Sequence, residues 1–373
     1  MVDTFRSEPF QEIPVWELEL QQIAAQPLEY CPDFPSIAKR YDAWWEGEIL
    51  DRPIFQFNAN TNPARPITRR LEYLFEPDRW YEEKMLDLKQ VKLVGDALPA
   101  VRPDFGPVVL GVLFGGKGEF YEDTTWVHPM INDDWSSAPD WSLNPNHPWW
   151  IQLLKLANLV AEQGKGRYLF FMPNLGGSAD ILLNLRGSQQ LCLDVIDQPE
   201  KIVAAINAIY PAWREALHCL LTIAMQHKVG FTYHPVVWSS KVNSVFECDF
   251  NYLIGKRDFE RLLLPDLARQ AGTVSRAMFH LDGPGAAKHI DALLAVPQIQ
   301  AIQYVPGAGN SALEWIPMYK KIQAARKALQ IICTPGEVLR LCEELKPEGL
   351  ALSGSAGVEE IDALYEQFCK RYR

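Results

Sequence analysis

Apolar positions along the chain follow two rhythms. Short unbroken runs rich in β-branched and aromatic residues alternate with longer segments whose apolar residues recur every three or four positions. The runs are Ile54–Asn58, Val108–Leu113, Tyr168–Met172, Phe231–Val237, Ala277–Leu281, Ala301–Val305, Leu329–Cys333 and Leu350–Leu352. The spacing predicts helices over Ile67–Val94, Pro148–Gln163, Asp180–Ile196 and Pro199–Gln226 in the first part. Asp258–Ala271, Pro284–Leu294, Ala312–Ala328, Pro335–Leu345 and Val358–Tyr372 follow. Pro284 and Pro335 stand where a first helical turn tolerates a missing N–H. Continuous apolar runs are the mark of strands buried on both faces, and strict strand–helix alternation implies a parallel sheet. Eight such units, with a helix last, favour a closed α/β (β/α)8 TIM barrel over an open doubly wound sheet. Residues 1–50 read as an N-terminal helical extension and 51–373 as a single barrel. Residues 117–147, rich in Trp, Asp, Asn and Pro, read as a long insertion after strand 2, where a lid would sit.

Composition narrows the function. At 48% apolar and 22% charged over 373 residues the chain has material for a large core and is not intrinsically disordered. Its net charge of −11 repels phosphate backbones, which argues against nucleic acid. No apolar run reaches the roughly 18–20 residues of a membrane span. The opening MVDTFRSEPF has no basic segment followed by an apolar one, so no signal peptide is expected. Seven cysteines without a CxxC pair suggest no disulfide framework and a cytoplasmic setting. Twelve tryptophans serve packing or wall a cavity.

In a barrel of this type the chemistry sits at the C-terminal strand ends. That makes Asn58, Asn174, Trp238, Gln303 and Tyr304 candidates for substrate contact, with Asp180 just beyond strand three. His280 and Asp282 alternate on one strand end, so both can face one side. A His beside a carboxylate is a general acid/base or a metal site; otherwise Asp282 caps the helix that begins at Pro284. Asp249, in the loop after strand four, is a further catalytic candidate or a loop brace. Cys333 is either a small buried hydrophobe or a thiolate ligand opposite His280. Gly111–Gly118 reads GVLFGGKG, but Gly118 replaces the hydroxyl residue of a phosphate-binding loop, so it is not an ATP site.

Several segments together resemble the uroporphyrinogen decarboxylase superfamily, and especially its decarboxylase-like and corrinoid methyltransferase-like branch. They are RYDAWWEGEILDRP (Arg40–Pro53), SADILLNLRGSQQLCLDVIDQPE (Ser178–Glu200), CDFNYLIGKRDFERLLLP (Cys248–Pro265) and FHLDGPGAAKHIDALLAVPQIQAIQYVPGAG (Phe279–Gly309). The resemblance implies a (β/α)8 barrel and one of two chemistries. One is cofactor-free decarboxylation of tetrapyrrole acetates; the other is methyl transfer between a corrinoid and a thiol activated by zinc. The heme-pathway motif RQAGRY is replaced here by RPIFQFNANTN. The zinc motifs align with His280-Leu281-Asp282 and Gly354-Ser355, so His280, Asp282 and Cys333 form the candidate metal set. The expectation is methyl transfer from a corrinoid or another small methyl donor, with a corrinoid protein and a second copy of the chain as partners. The alternatives are a decarboxylase or lyase acting on a carboxylated substrate, in which Asp282 or Asp249 protonates the carbanion, and a non-catalytic corrinoid- or tetrapyrrole-binding protein.

Overall fold

The computed structural model describes residues 8–107, 109–122 and 124–372. Helices α1 (Ile13–Ala24) and α2 (Phe34–Trp45) precede β1 (Ile54–Asn60). Then come α3 (Pro77–Lys89), β2 (Val91–Gly95), β3 (Ala100–Val101), α4 (Val109–Leu113) and a hairpin of β4 (Lys117–Phe120) and β5 (Thr125–His128). The middle of the chain holds α5 (Pro148–Gly164), β6 (Leu169–Phe171), α6 (Ser178–Arg186), α7 (Ser188–Asp197), α8 (Pro199–Gln226), β7 (Phe231–Thr232) and β8 (Asn243–Glu247). A 3-10 turn at Asp249–Leu253, α9 (Lys256–Asp258) and α10 (Leu264–Ala271) lead to β9 (Arg276–Asp282), α11 (Gly283–Ala286) and α12 (Ile290–Leu294). The last strands, β10 (Ile299–Val305), β11 (Ala328–Ile332) and β12 (Leu350–Ser355), alternate with α13 (Ile316–Ala324), α14 (Val338–Glu344) and α15 (Val358–Arg371).

The protein is a mixed α/β fold. Its main sheet runs β2-β1-β12-β11-β10-β9-β8, and a second, three-stranded sheet runs β3-β6-β7. All these strands pair in parallel except β2, which lies antiparallel to β1. Among the described residues no ladder joins β7 to β8 or β1 to β3, so the expected barrel is not closed by hydrogen bonds.

Five departures from the sequence expectation have local causes. Val109–Leu113 is helical, with all five residues buried, where a strand was expected over Val108–Leu113; Val108 lies outside the described residues. A short apolar run carries no period that separates a strand from a buried helix. The run Phe231–Val237 keeps only two strand residues, because Pro235 offers no N–H to a ladder. There the Thr232 hydroxyl receives the Val237 N–H (2.9 Å) and donates to the Val237 carbonyl (2.8 Å), closing a turn. The helix expected over Ile67–Val94 survives as α3, and its end straightens into β2. The one expected over Asp180–Ile196 breaks at Gly187, whose φ of 86° lies outside helical space. Within the expected insertion, 117–128 forms the β4–β5 hairpin.

Helix α2 covers the N-terminal strand ends. Trp44 Nε1 donates to the Leu329 carbonyl (3.2 Å) and Trp45 Nε1 to the Trp238 carbonyl (2.8 Å). Arg276, at the start of β9, pairs with Asp42 (2.7 Å) and Glu46 (2.5 Å) on the same helix. Nearby, fully buried Asp96 pairs with Arg52 and Arg40 (2.8 Å to the latter) and accepts the Phe55 N–H (2.9 Å). Removing the carboxylate would strand buried cations. Asp96→Ala is expected to cost about 3–5 kcal/mol of stability, measured by chemical denaturation; a loss under about 1 kcal/mol would show the cluster to be solvent-compensated.

Candidate active site

The polar residues of the main sheet fall into one row. Glu247 pairs in register with His280, His280 with Gln303, and Gln303 with Gln330. Partners across a parallel ladder point to the same face, so these four side chains share one side of the sheet. Gln330 Nε2 donates to Gln56 Oε1 and to Ser353 Oγ (both 2.8 Å), extending the polar line to β1 and β12.

His280 is the chemical centre of this row. Its Nδ1 contacts Gln303 Oε1 at short range. An amide oxygen only accepts, so Nδ1 carries the hydrogen of this contact. The His234 ring stands edge-on to His280, with centroids 5.7 Å apart. Burial, His280 and Arg102 together hold the His234 pKa down to about 4, so that ring stays neutral at physiological pH.

Carboxylates gather on the other side. Asn174 Nδ2 donates to Glu247 Oε1 (2.9 Å), while its own Oδ1 accepts the Gly176 N–H (2.7 Å). Asp249 opens the 3-10 turn and is exposed to solvent. Crowding by protein and the negative charges of Glu247 and Asp282 raise its pKa to about 6, against the opposing pull of His280. Asp180 is fully enclosed beneath this turn and accepts the Phe250 N–H (2.9 Å). Burial, then Asp249 and Glu247, push its carboxyl well above the usual range. His289 anchors the same turn through Nε2 and the Asn251 carbonyl (2.8 Å).

Thus His280, Asp249, Asp282, Asn174, Asp180 and Gln303 come together, with Asp180 below as a brace. Asp282 occupies the cap position of α11 without a side-chain cap bond and is exposed. Three expected substrate contacts lie elsewhere. Trp238 is fully buried against Phe34 (centroids 4.8 Å) on the α2 side. Tyr304 alternates with Gln303 and so faces outward, between Trp315 and Tyr319. Asn58 accepts from Ser355 Oγ (3.1 Å) and lines a pocket between β2 and β3 that shares Arg102 with the site but not His280. Cys333 is buried toward Tyr319, Glu337 and Cys342 on the outer helices, and burial raises its thiol pKa far above the usual value. No group of three or more His, Cys, Asp or Glu suited to a metal ion occurs among the described residues. The set of His280, Asp282 and Cys333 is therefore not assembled.

Glu247 and Arg102 are site residues that the sequence pattern does not single out, and His234 ranks there below His280. Glu247 ends the strand NSVFE, whose polar start hides it among loop residues. Arg102 follows a strand only two residues long, and His234 lay inside a run read as continuous strand.

No family model matches the chain, and no curated protein matches it. Among solved structures it is similar to a methyltransferase from Methanosarcina mazei at a TM-score of 0.60 and 12% identity, covering 90% of this chain and 99% of that one. The likeness is one of fold.

The raised pKa of Asp249 has a stability consequence. Because the folded state binds that proton more tightly than the unfolded state, Asp249 costs stability as pH rises from about 4 through 6, and the cost is constant above that. Asp249→Asn is expected to raise the melting temperature at about pH 8 and leave it unchanged at about pH 3.5. Equal shifts at both pH values would refute the crowding.

Proposed function

We propose that this chain is a methyl-transfer enzyme built as a (β/α)8 barrel opened at two seams, with its reaction centred on His280 and Asp249. The likeness in fold to a methyltransferase supports the reaction class. The observation that carries the reading is the His280 imidazole, oriented through Nδ1 by Gln303, beside an Asp249 carboxyl whose pKa is raised to about 6. Methyl transfer to a thiol, amine or hydroxyl forms a heteroatom–carbon bond, breaks the donor–methyl bond with its electron pair left on the departing donor, and releases the acceptor's proton. A base with a pKa close to the working pH takes that proton at least cost. His280 Nε2 takes it, and the carboxylates of Glu247 and Asp249 stabilise the imidazolium that results. Gln303 keeps the ring oriented, as the third group of a base–orienter pair does.

The methyl donor is a corrinoid or another small donor, acting as substrate, and a corrinoid protein and a second copy of the chain are its proposed partners. Zinc does not fit the residues present, since Cys333 is turned away from His280. Proton chemistry therefore falls to His280 and Asp249. No helix among the described residues is long and apolar enough to cross a membrane.

Cofactor-free decarboxylation is the second reading, favoured by one observation: Asp249 retains a proton unusually far up the pH scale and could deliver it to a carbanion-like centre. The surrounding carboxylates oppose an anionic substrate there, which ranks this reading second.

The test is methyl transfer from methylcobalamin to thiol and amine acceptors. His280→Gln and Asp249→Asn are each expected to lower the rate about 10²-fold or more. The wild-type rate should fall as pH drops through about 6, where Asp249 gains its proton, and Asp249→Asn should change the position of that acid limb. Methyl transfer untouched by both substitutions would sink the proposal. Carbon dioxide release from carboxylated substrates without methyl transfer would put decarboxylation in its place.

A further inference from the structure

The seam at β1 and β3 is filled differently from the one at β7 and β8. Strand β2 runs antiparallel along β1 and takes the edge that a closed barrel would offer to β3, so β3 pairs with β6 instead. A cavity of about 480 Å³ lies between β2 and β3, a size usual for a small-molecule site. Leu88, Leu93, Leu98, Val101 and Phe171 give it apolar walls, and Arg102 and Lys84 bring cations to it.

Arg102 is loosely held for a guanidinium so enclosed. Its Nε is buried and, among the described residues, has no hydrogen-bond partner. Its Nη1 stands 3.6 Å from Asp104 Oδ2, too far for a hydrogen bond. The guanidinium carbon lies 4.9 Å from the centre of the Phe171 ring. Buried Arg186, by comparison, closes on Asp194 at 2.6 Å. The acids that line the pocket are engaged elsewhere. Asp87 pairs with Arg65, Arg70 and Lys84. Glu122 accepts the N–H groups of Arg70 and Leu71 (3.0 Å each), and Asp104 accepts that of Gly106 (2.7 Å). Lys84 Nζ donates to the Thr68 carbonyl (2.9 Å), and burial outweighs Asp87 and lowers the Lys84 pKa. Buried polar groups are nearly always paired, and a guanidinium fork matches the two oxygens of a carboxylate.

We infer that the pocket between β2 and β3 binds a small aliphatic monocarboxylate, its oxygens on Arg102 and Lys84 and its chain along Leu93, Leu98 and Phe171. Asp87, Asp104 and Glu122 already line the pocket and would repel a second negative charge, so a monoanion is favoured over a phosphate dianion. Arg102 also lines the small cavity beside His234 and Glu247, so the anchored carboxylate borders the His280 site. Taking this ligand for the methyl acceptor rests on the proposed methyl-transfer reading; its binding does not.

Hexanoate and hexanamide, equal in length and different in charge, test the assignment by calorimetry or ligand-observed magnetic resonance on the full chain at fixed ionic strength. Wild type should bind hexanoate about 10-fold or more tightly than hexanamide, the worth of hydrogen bonds between charged groups. Arg102→Met should weaken hexanoate about 10-fold and leave hexanamide unchanged. Arg102→Lys keeps the charge and loses the fork; it should weaken hexanoate about threefold, and it carries the test should the methionine variant fail to fold. No hexanoate binding up to about 10 mM, hexanoate affinity untouched by either substitution, or inorganic phosphate bound more tightly than hexanoate would overturn the inference. These readouts need no turnover, so failure of the pocket and failure of the methyl-transfer reading are told apart.

Discussion

The register of the parallel sheet is the constraint on which the site depends. Glu247, His280 and Gln303 belong to three strands far apart in sequence, yet each stands opposite the next across a ladder. Side chains alternate with a period of two, so a slip of one residue would send His280 outward among the helices. The buried apolar residues Phe279 and Leu281 on either side of it prevent that slip, since both would face the polar interior. The energy that orients the imidazole is thus mostly hydrophobic and lies in its neighbours.

The two ends of the strands divide their tasks. At the N-terminal end, Arg276 with Asp42 and Glu46, and Asp96 with Arg40 and Arg52, set opposite charges side by side. At the C-terminal end, like charges are crowded: Glu247, Asp249 and Asp282 surround one imidazole, above the buried carboxyl of Asp180. That crowding costs stability, and it also moves a carboxyl pKa toward neutrality, where proton transfer is useful. Stabilising pairs sit at the N-terminal strand ends, and unfavourable ones are gathered at the C-terminal ends. The orphan amide hydrogens on Gln303 Nε2 belong to the same pattern of polar capacity left unspent beside His280.

Much of the fold was legible along the chain. The apolar runs at Ile54, Tyr168, Ala277, Ala301, Leu329 and Leu350 each mark a strand of the structure, because burial on both faces demands unbroken apolar sequence. The alternation of His280 and Asp282 at one strand end was equally plain. Local pattern could not separate Val109–Leu113 from a strand, nor find β8 behind Asn243 and Ser244. It also could not assign facing: Tyr304 and Cys333 stand at strand ends but turn to the outer helices, and Trp238 packs under α2.

What the sequence determined by itself was element type and the strand ends that bear polar groups, since both follow from residue order over a few positions. Which of those groups meet, and with what charge, was decided by tertiary structure alone. Pairing of distant strands brought Glu247 to His280 and Gln303, and the early end of β7 left a small cavity beside Tyr233. Neither is encoded within any short window, because a pKa and a cavity depend on neighbours that only long-range packing supplies.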